Sequence, residues 1–208
     1  MARTANPETR DRLMEAAFGL IRQQGLAATS VDEICKAAGV SKGAFFHYFK
    51  SKEHLAAEAA DHWSATTGAL FETAPYHDAE DPLDRVIGYV DFRWQMIAGE
   101  LADFTCFVGT MVQEAYGTSP AIQAACWNSI SGHADKLVDD IDAAIARHGI
   151  AAGWSARSLA LHTQAVLQGA FILAKASGDP GVARETIEHL KRYIETLFGR
   201  SPEARPAS

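Results

Sequence analysis

The chain has 208 residues, 48% of them hydrophobic, and a formal net charge of −7. That apolar share is enough for a core and excludes wholesale disorder, while no uncharged apolar run approaches the roughly 18 residues of a membrane span. Three scattered cysteines, Cys35, Cys106 and Cys126, exclude a disulfide framework and a zinc site. With a polar, charged N-terminus that has no apolar h-region, they point to a reduced, cytoplasmic setting.

The punctuation along the chain is helical throughout, with no convincing strand alternation. Asn6-Pro7-Glu8 reads as a cap, a proline at the first helical position and an acid in the first turn. Leu13, Ala17, Leu20 and Ile21 then mark an apolar face, and Gly25 ends the helix. Ser30-Val31-Asp32-Glu33 is a capping box for a short second helix that stops at Gly39. Ser41 caps a third helix, and Ser51 caps a fourth running on through Leu55, Ala59, Trp63 and Leu70. Residues 73–82 read as a linker. Asp81-Pro82 starts a fifth helix, a sixth spans about Leu101 to Ala115, and Ser119-Pro120 opens a long seventh closed by Gly149. Ser155 caps an eighth that ends at Gly178, and Asp179-Pro180 starts a ninth carrying Ile187, Leu190, Ile194 and Leu197. The Pro/Ala/Ser-rich tail, residues 201–208, reads as disordered. The expected fold is all-α with about nine helices. A helix-turn-helix domain occupies 1–54, and a helical ligand-binding and dimerisation domain occupies 55–200.

The net charge conceals an asymmetry. Residues 1–54 carry eight Lys/Arg and six Asp/Glu, net +2, and the remainder carries net −9. Lys36, Lys42, Lys50 and Lys52 fall in a stretch without a single acid. DNA attracts a local basic surface rather than a whole-chain average.

The strongest signal lies in this stretch, TSVDEICKAAGVSKGAFFHYFKSK, residues 29–52. Two short helices, Val31–Ala38 and Lys42–Phe49, are joined by Gly39-Val40-Ser41 as a helix-turn-helix. Ile34, Ala37 and Ala38 are small or apolar where the helices cross, and Val40 and Phe45 face inward. Lys42-Gly43-Ala44 places a cation and two minimal side chains on the first turn, where a recognition helix meets phosphates and base edges.

The run GVSKGAFFHYFKSKE, residues 39–53, resembles the signature of the tetracycline-repressor (TetR) family, and the resemblance covers residues 8–60 closely. By that resemblance Thr29, Ser41, Lys42, Phe46, Tyr48 and Lys52 would hold the DNA backbone. Gly43, Ala44 and His47 would lie closest to the bases. The family often has tyrosine where Phe46 stands, so a phosphate hydrogen bond from that position is lost. The implied function is a ligand-responsive repressor released from a palindromic operator by a small apolar or electrophilic effector.

In the rest of the chain the resemblance implies an effector cavity between helices. Trp63, Phe92, Met96, Phe107, Met111, Trp127 and Phe171 supply apolar candidates, and His133 and Gln164 polar ones. Helix 8 has no charged side chain from Ser158 through Ala174, so helices 8 and 9 read as the homodimer surface. The segment from Cys106 to Glu114 resembles a subgroup that senses electrophiles or oxidants through this thiol, with Lys175 as the candidate neighbouring amine. The alternatives are an all-helical small-molecule enzyme or an adaptor without DNA binding. A di-iron bundle needs Glu-x-x-His pairs, and none occurs; no two histidines stand four apart, and no cofactor or metal is called for. An adaptor would need a degraded helix-turn-helix, and this one is intact.

Overall fold

The computed structural model describes residues 7–201. The expected cap Asn6 and nearly all of the expected disordered tail, residues 202–208, lie outside them. The helices are α1 (Pro7–Gln24), α2 (Val31–Ala38), α3 (Lys42–Tyr48), α4 (Lys52–Glu72), α5 (Pro82–Gln95), α6 (Leu101–Phe104), α7 (Phe107–Ala115), α8 (Pro120–Asp135), α9 (Val138–His148), α10 (Ala156–Ser177) and α11 (Pro180–Leu197). The expected linker holds one 3-10 turn, Pro75–Asp78. Among the described residues every regular element is helical, and no helix is long and apolar enough to cross a membrane.

The nine-helix reading fits once two of its helices are divided. The sixth breaks at Thr105, and the Cys106 thiol then caps α7 by accepting from Gly109 N at 3.4 Å. The seventh breaks at Lys136-Leu137, and Ile122 before the break and Leu137 and Ile141 at and after it are each buried.

Two compact units form. One runs through Ala69 and includes Thr105–Ile130; the other comprises Leu70–Phe104 and the chain from Ser131. The sequence boundary at 54/55 falls just inside α4, and α7 and α8 as far as Ile130 belong with the N-terminal unit.

The core of the first unit follows from helical spacing. Leu13, Met14, Ala17, Phe18 and Ile21 of α1 meet Ile34, Phe45, Phe49, Leu55, Ala59, Phe107, Met111 and Ile122, all buried. Phe18 stands edge-on to Phe107 at 4.9 Å and to Trp63 at 5.3 Å. Each large side chain fully buried there stabilises the unit by about 1.5–3 kcal/mol.

The second unit packs α5 against α9 and α11, and α10 against α9 and α11. Leu83, Val86 and Val90, with Leu167, Phe171, Ile187, Leu190 and Ile194, close its core. Lys191 Nζ reaches Asp91 at 2.9 Å and Arg85 Nε reaches Asp140 at 2.6 Å. The charge-free stretch of α10 has two faces: Leu167 and Ala170 are fully buried, whereas Ile172 and Leu173 are 46% and 50% exposed. On α11, Tyr193 is exposed as well.

Candidate DNA interface and effector-binding residues

The helix-turn-helix is built from local hydrogen bonds. Ser30 and Glu33 cap α2 reciprocally: Ser30 N donates to Glu33 Oε2 at 2.8 Å and Glu33 N donates to Ser30 Oγ at 3.2 Å. Gly39 ends α2 at φ +65°, a left-handed conformation that a side chain resists. Its backbone turns the chain into Ser41, whose Oγ accepts from Ala44 N at 3.2 Å and caps α3.

Phe45 and Phe49 of this segment are fully buried, which fixes what α3 presents outward. Ser41, Lys42, Gly43, Phe46 and His47 are exposed, with Lys50 just beyond the helix; Ala44 and Tyr48 are half-buried beside them. Positions 43, 46 and 47 share one helical face. Lys42 Nζ contacts Asp32 Oδ1 at 2.9 Å, but both side chains are more than half exposed. Such a pair is worth about 0–1 kcal/mol, so the ammonium can exchange its carboxylate for a phosphate.

Thr29 and Lys52 meet carbonyls of the chain itself. Thr29 is 1% exposed and its hydroxyl donates to Gly25 O at 2.6 Å. Lys52 Nζ donates to Leu26 O at 2.7 Å and to Thr29 O at 2.8 Å. The same α1–α2 turn is also held by Glu114 of α7, whose carboxylate accepts from Ala27 N at 2.7 Å and Leu26 N at 3.2 Å. Gly25, at φ +89°, lies so close that a Cβ there would collide with that carboxylate. A lysine and a glutamate therefore clamp the segment that leads into the helix-turn-helix. Sequence reasoning missed Glu114; an acid in the last turn of a helix, against the dipole, was the available signal.

The effector candidates fall into two groups. Trp63, Phe107 and Met111 are core or core-packed residues of the first unit, and Trp127 is 53% exposed. Phe92, Met96, His133, Gln164 and Phe171 belong to the second unit. There Gln164 Nε2 donates to Tyr89 Oη at 2.9 Å, and Tyr89 Oη lies 2.9 Å from His133 Nε2. Phe71 stands edge-on to His133 at 4.5 Å and to Phe92 at 5.4 Å. Arg93 lies over Phe71 and Phe171, at 5.3 and 5.4 Å from their centroids. Tyr89 and Arg93 are one helical turn apart on α5, a spacing legible in the sequence but masked by the stronger apolar pattern around it.

Burial pushes the His133 imidazole down to about 3, with Arg93 and Lys136 adding repulsion. The sign follows directly. Between the ordinary 6.5 and about 3 the unfolded chain binds a proton that the folded chain refuses. Stability is therefore intact above pH 6.5 and falls with acid, approaching about 1.4 kcal/mol per pH unit from this group. Urea unfolding at pH 6.5 and pH 4.5 should show the loss in wild type and a smaller one in His133→Gln. Equal losses would remove His133 as the cause.

Sequence comparison decides the family. Residues 13–59 match the profile described as bacterial regulatory proteins, tetR family, and residues 82–190 match the tetracyclin repressor-like C-terminal domain. The chain belongs to the TetR family. The HTH-type transcriptional regulator AcrR of Shigella flexneri is 38% identical over 77 residues, which are 37% of this chain and 34% of AcrR. The chain's matches span about a fifth to a half of the length of its curated relatives. A TetR-family regulator from Agrobacterium tumefaciens superposes with a TM-score of 0.79 at 20% identity, covering 91% of this chain and 99% of that one. Reduced Escherichia coli NemR gives 0.76 at 21% identity, covering 88% and 95%. At these identities the structures establish a shared TetR fold.

Within that TetR fold the two candidate sensor residues sit at helix ends. Cys106 is half-buried at the start of α7. Lys175 occupies the last turn of α10, where a cation complements the helix dipole.

Proposed function

We propose that this TetR-family chain is a homodimeric repressor that binds a palindromic operator through α3 and is released by a small apolar molecule bound in the second unit or by an electrophile that meets the thiol of Cys106 in the first. The observation that carries the DNA reading is the outward face of α3. A cation, a glycine, a histidine and an aromatic project from a short helix whose other side is locked into the core by Phe45 and Phe49. The exposed apolar residues Ile172, Leu173 and Tyr193 support pairing of α10 and α11 with their symmetry mates as a four-helix bundle. The Tyr89–His133–Gln164 network supports an effector site, because polar groups fixed among aromatics orient a ligand. The test is fluorescence anisotropy on duplex DNA over a salt series, with light scattering on the same sample. A dimer whose log affinity falls linearly with log salt supports the reading. Salt-independent binding, or a folded monomer, contradicts it.

Cys106 is proposed as the thiol that responds to electrophiles or oxidants. Mild hypochlorite or a quinone should lower operator affinity in wild type and spare Cys106→Ser. Equal loss in both proteins, or none in either, removes Cys106 from the mechanism.

A further inference from the structure

Most arginines of the second unit with charged partners nearby are paired. Arg85 meets Asp140, Arg147 meets Glu80, Arg157 meets Asp135, and Arg200 meets Asp84. Arg93 differs. Its recorded contacts are the faces of Phe71 and Phe171, and no carboxylate or carbonyl among the described residues accepts its guanidinium hydrogens. Asp140 and Glu72 pair with other cations, Arg85 and Lys136. A half-buried cation between two rings carries five N–H donors in a fork that fits a carboxylate in two-point contact. Ring faces compensate its charge only in part, so an anion that completes the fork gains on both counts.

A second donor stands beside the first. Tyr89 Oη accepts from Gln164 Nε2 and lies 2.9 Å from His133 Nε2, a nitrogen to which it can donate its own hydrogen. With Nε2 accepting, the neutral imidazole carries its proton on Nδ1, for which no partner is recorded among the described residues. Arg93 and His133 both contact the ring of Phe71, at 5.3 and 4.5 Å, and both retain partial exposure. Both side chains thus neighbour one ring, with Phe92 edge-on to it.

We propose that the effector is an organic anion with an aromatic body, an aryl-substituted carboxylate, whose charge is held by Arg93 and His133 Nδ1–H. Tyr89 and Gln164 hold the imidazole in the donating tautomer, and the rings of Phe71, Phe92 and Phe171 take the apolar part. This rests on the second unit being the effector-binding part, and it specifies the chemical class.

The probes are arylalkanoates from benzoate to 4-phenylbutyrate, their primary amides, and acetate as a bare anion. Each is titrated into the full-length protein, with thermal shift and loss of DNA anisotropy as readouts. At least one arylalkanoate should bind about tenfold or more tightly than its amide, acetate should have no effect at the same concentration, and Arg93→Gln should erase the preference. Arg93→Lys, which keeps the charge over the rings but loses the fork, should give an intermediate preference and covers the case in which Arg93→Gln does not fold. Equal binding of acid and amide, a preference surviving in Arg93→Gln, or no response to any arylalkanoate overturns the proposal. The broader effector reading fails separately: it stands if neutral or cationic compounds release DNA while the carboxylates do not, and falls if no compound of any charge does.

Discussion

Replacing Gly43 with leucine is expected to abolish specific DNA binding, by a hundredfold or more, without lowering the melting temperature. Nothing inside the chain requires glycine at this position. Its φ is not among the positive values, it is exposed, and a Cβ there would approach only Ser41 Oγ, at 3.9 Å. Glycine within a helix costs up to about 1 kcal/mol relative to alanine, so the substitution should be neutral or stabilising for the folded protein. The reason for glycine then lies outside the chain, where a DNA backbone or base edge must come close to the first turn of α3. Gly43→Ala should give a milder loss of binding with the same unchanged or raised melting temperature. Wild-type affinity in the leucine variant would show that this turn does not face the duplex.

The second large effect separates two lysines that look alike in the sequence. Lys52→Met should lower stability by about 1–3 kcal/mol, because the Leu26 and Thr29 carbonyls lose a charged donor at 2.7 and 2.8 Å. For a chain of this size each kcal/mol is worth about 2–4 °C in melting temperature. Binding should weaken as the α1–α2 turn loosens, while the salt slope of the remaining binding stays unchanged. Lys42→Met should do the reverse: its exposed pair with Asp32 contributes little to stability, but losing one phosphate contact should flatten the slope by about one unit. If Lys52→Met flattens the slope and leaves the melting temperature alone, its ammonium leaves the carbonyls for a phosphate on DNA, and the clamp is not its main role.

That contrast also marks how far the sequence carries. The helix-turn-helix was legible because its signals are local: the Ser30–Glu33 capping box, Gly39 at a left-handed turn and the Ser41 cap all reappear as hydrogen bonds or dihedrals. Which side of α3 faces outward followed from Phe45, read as facing inward and found fully buried. The role of Lys52 was not legible, because its acceptors, the Leu26 and Thr29 carbonyls, come within reach only once α4 folds back on the α1–α2 turn, and Thr29 turns its hydroxyl to Gly25 O within that turn, a choice no sequence pattern marks. Glu114 and its two backbone donors are 87 and 88 residues apart, beyond any pattern of period or spacing. The effector candidates suffered likewise. An aromatic at helical spacing looks the same whether it packs, as Phe107 does, or lines a polar network, as Phe92 does near His133. Tyr89, which joins His133 to Gln164, and Arg93, which has rings for neighbours, are recognisable only from the tertiary placement of α5 beside α10 and the end of α8.

Selection of bound sequences from a random duplex library tests the central claim most directly. A two-fold dimer that presents two copies of α3 should return an inverted repeat with half-sites about one helical turn, or a multiple of it, apart. Gly43→Leu, carried through the same selection, should return no enriched sequence. Enrichment of no inverted repeat by the wild-type protein, or of the same repeat by Gly43→Leu, would contradict the assignment of α3 as the surface that reads DNA.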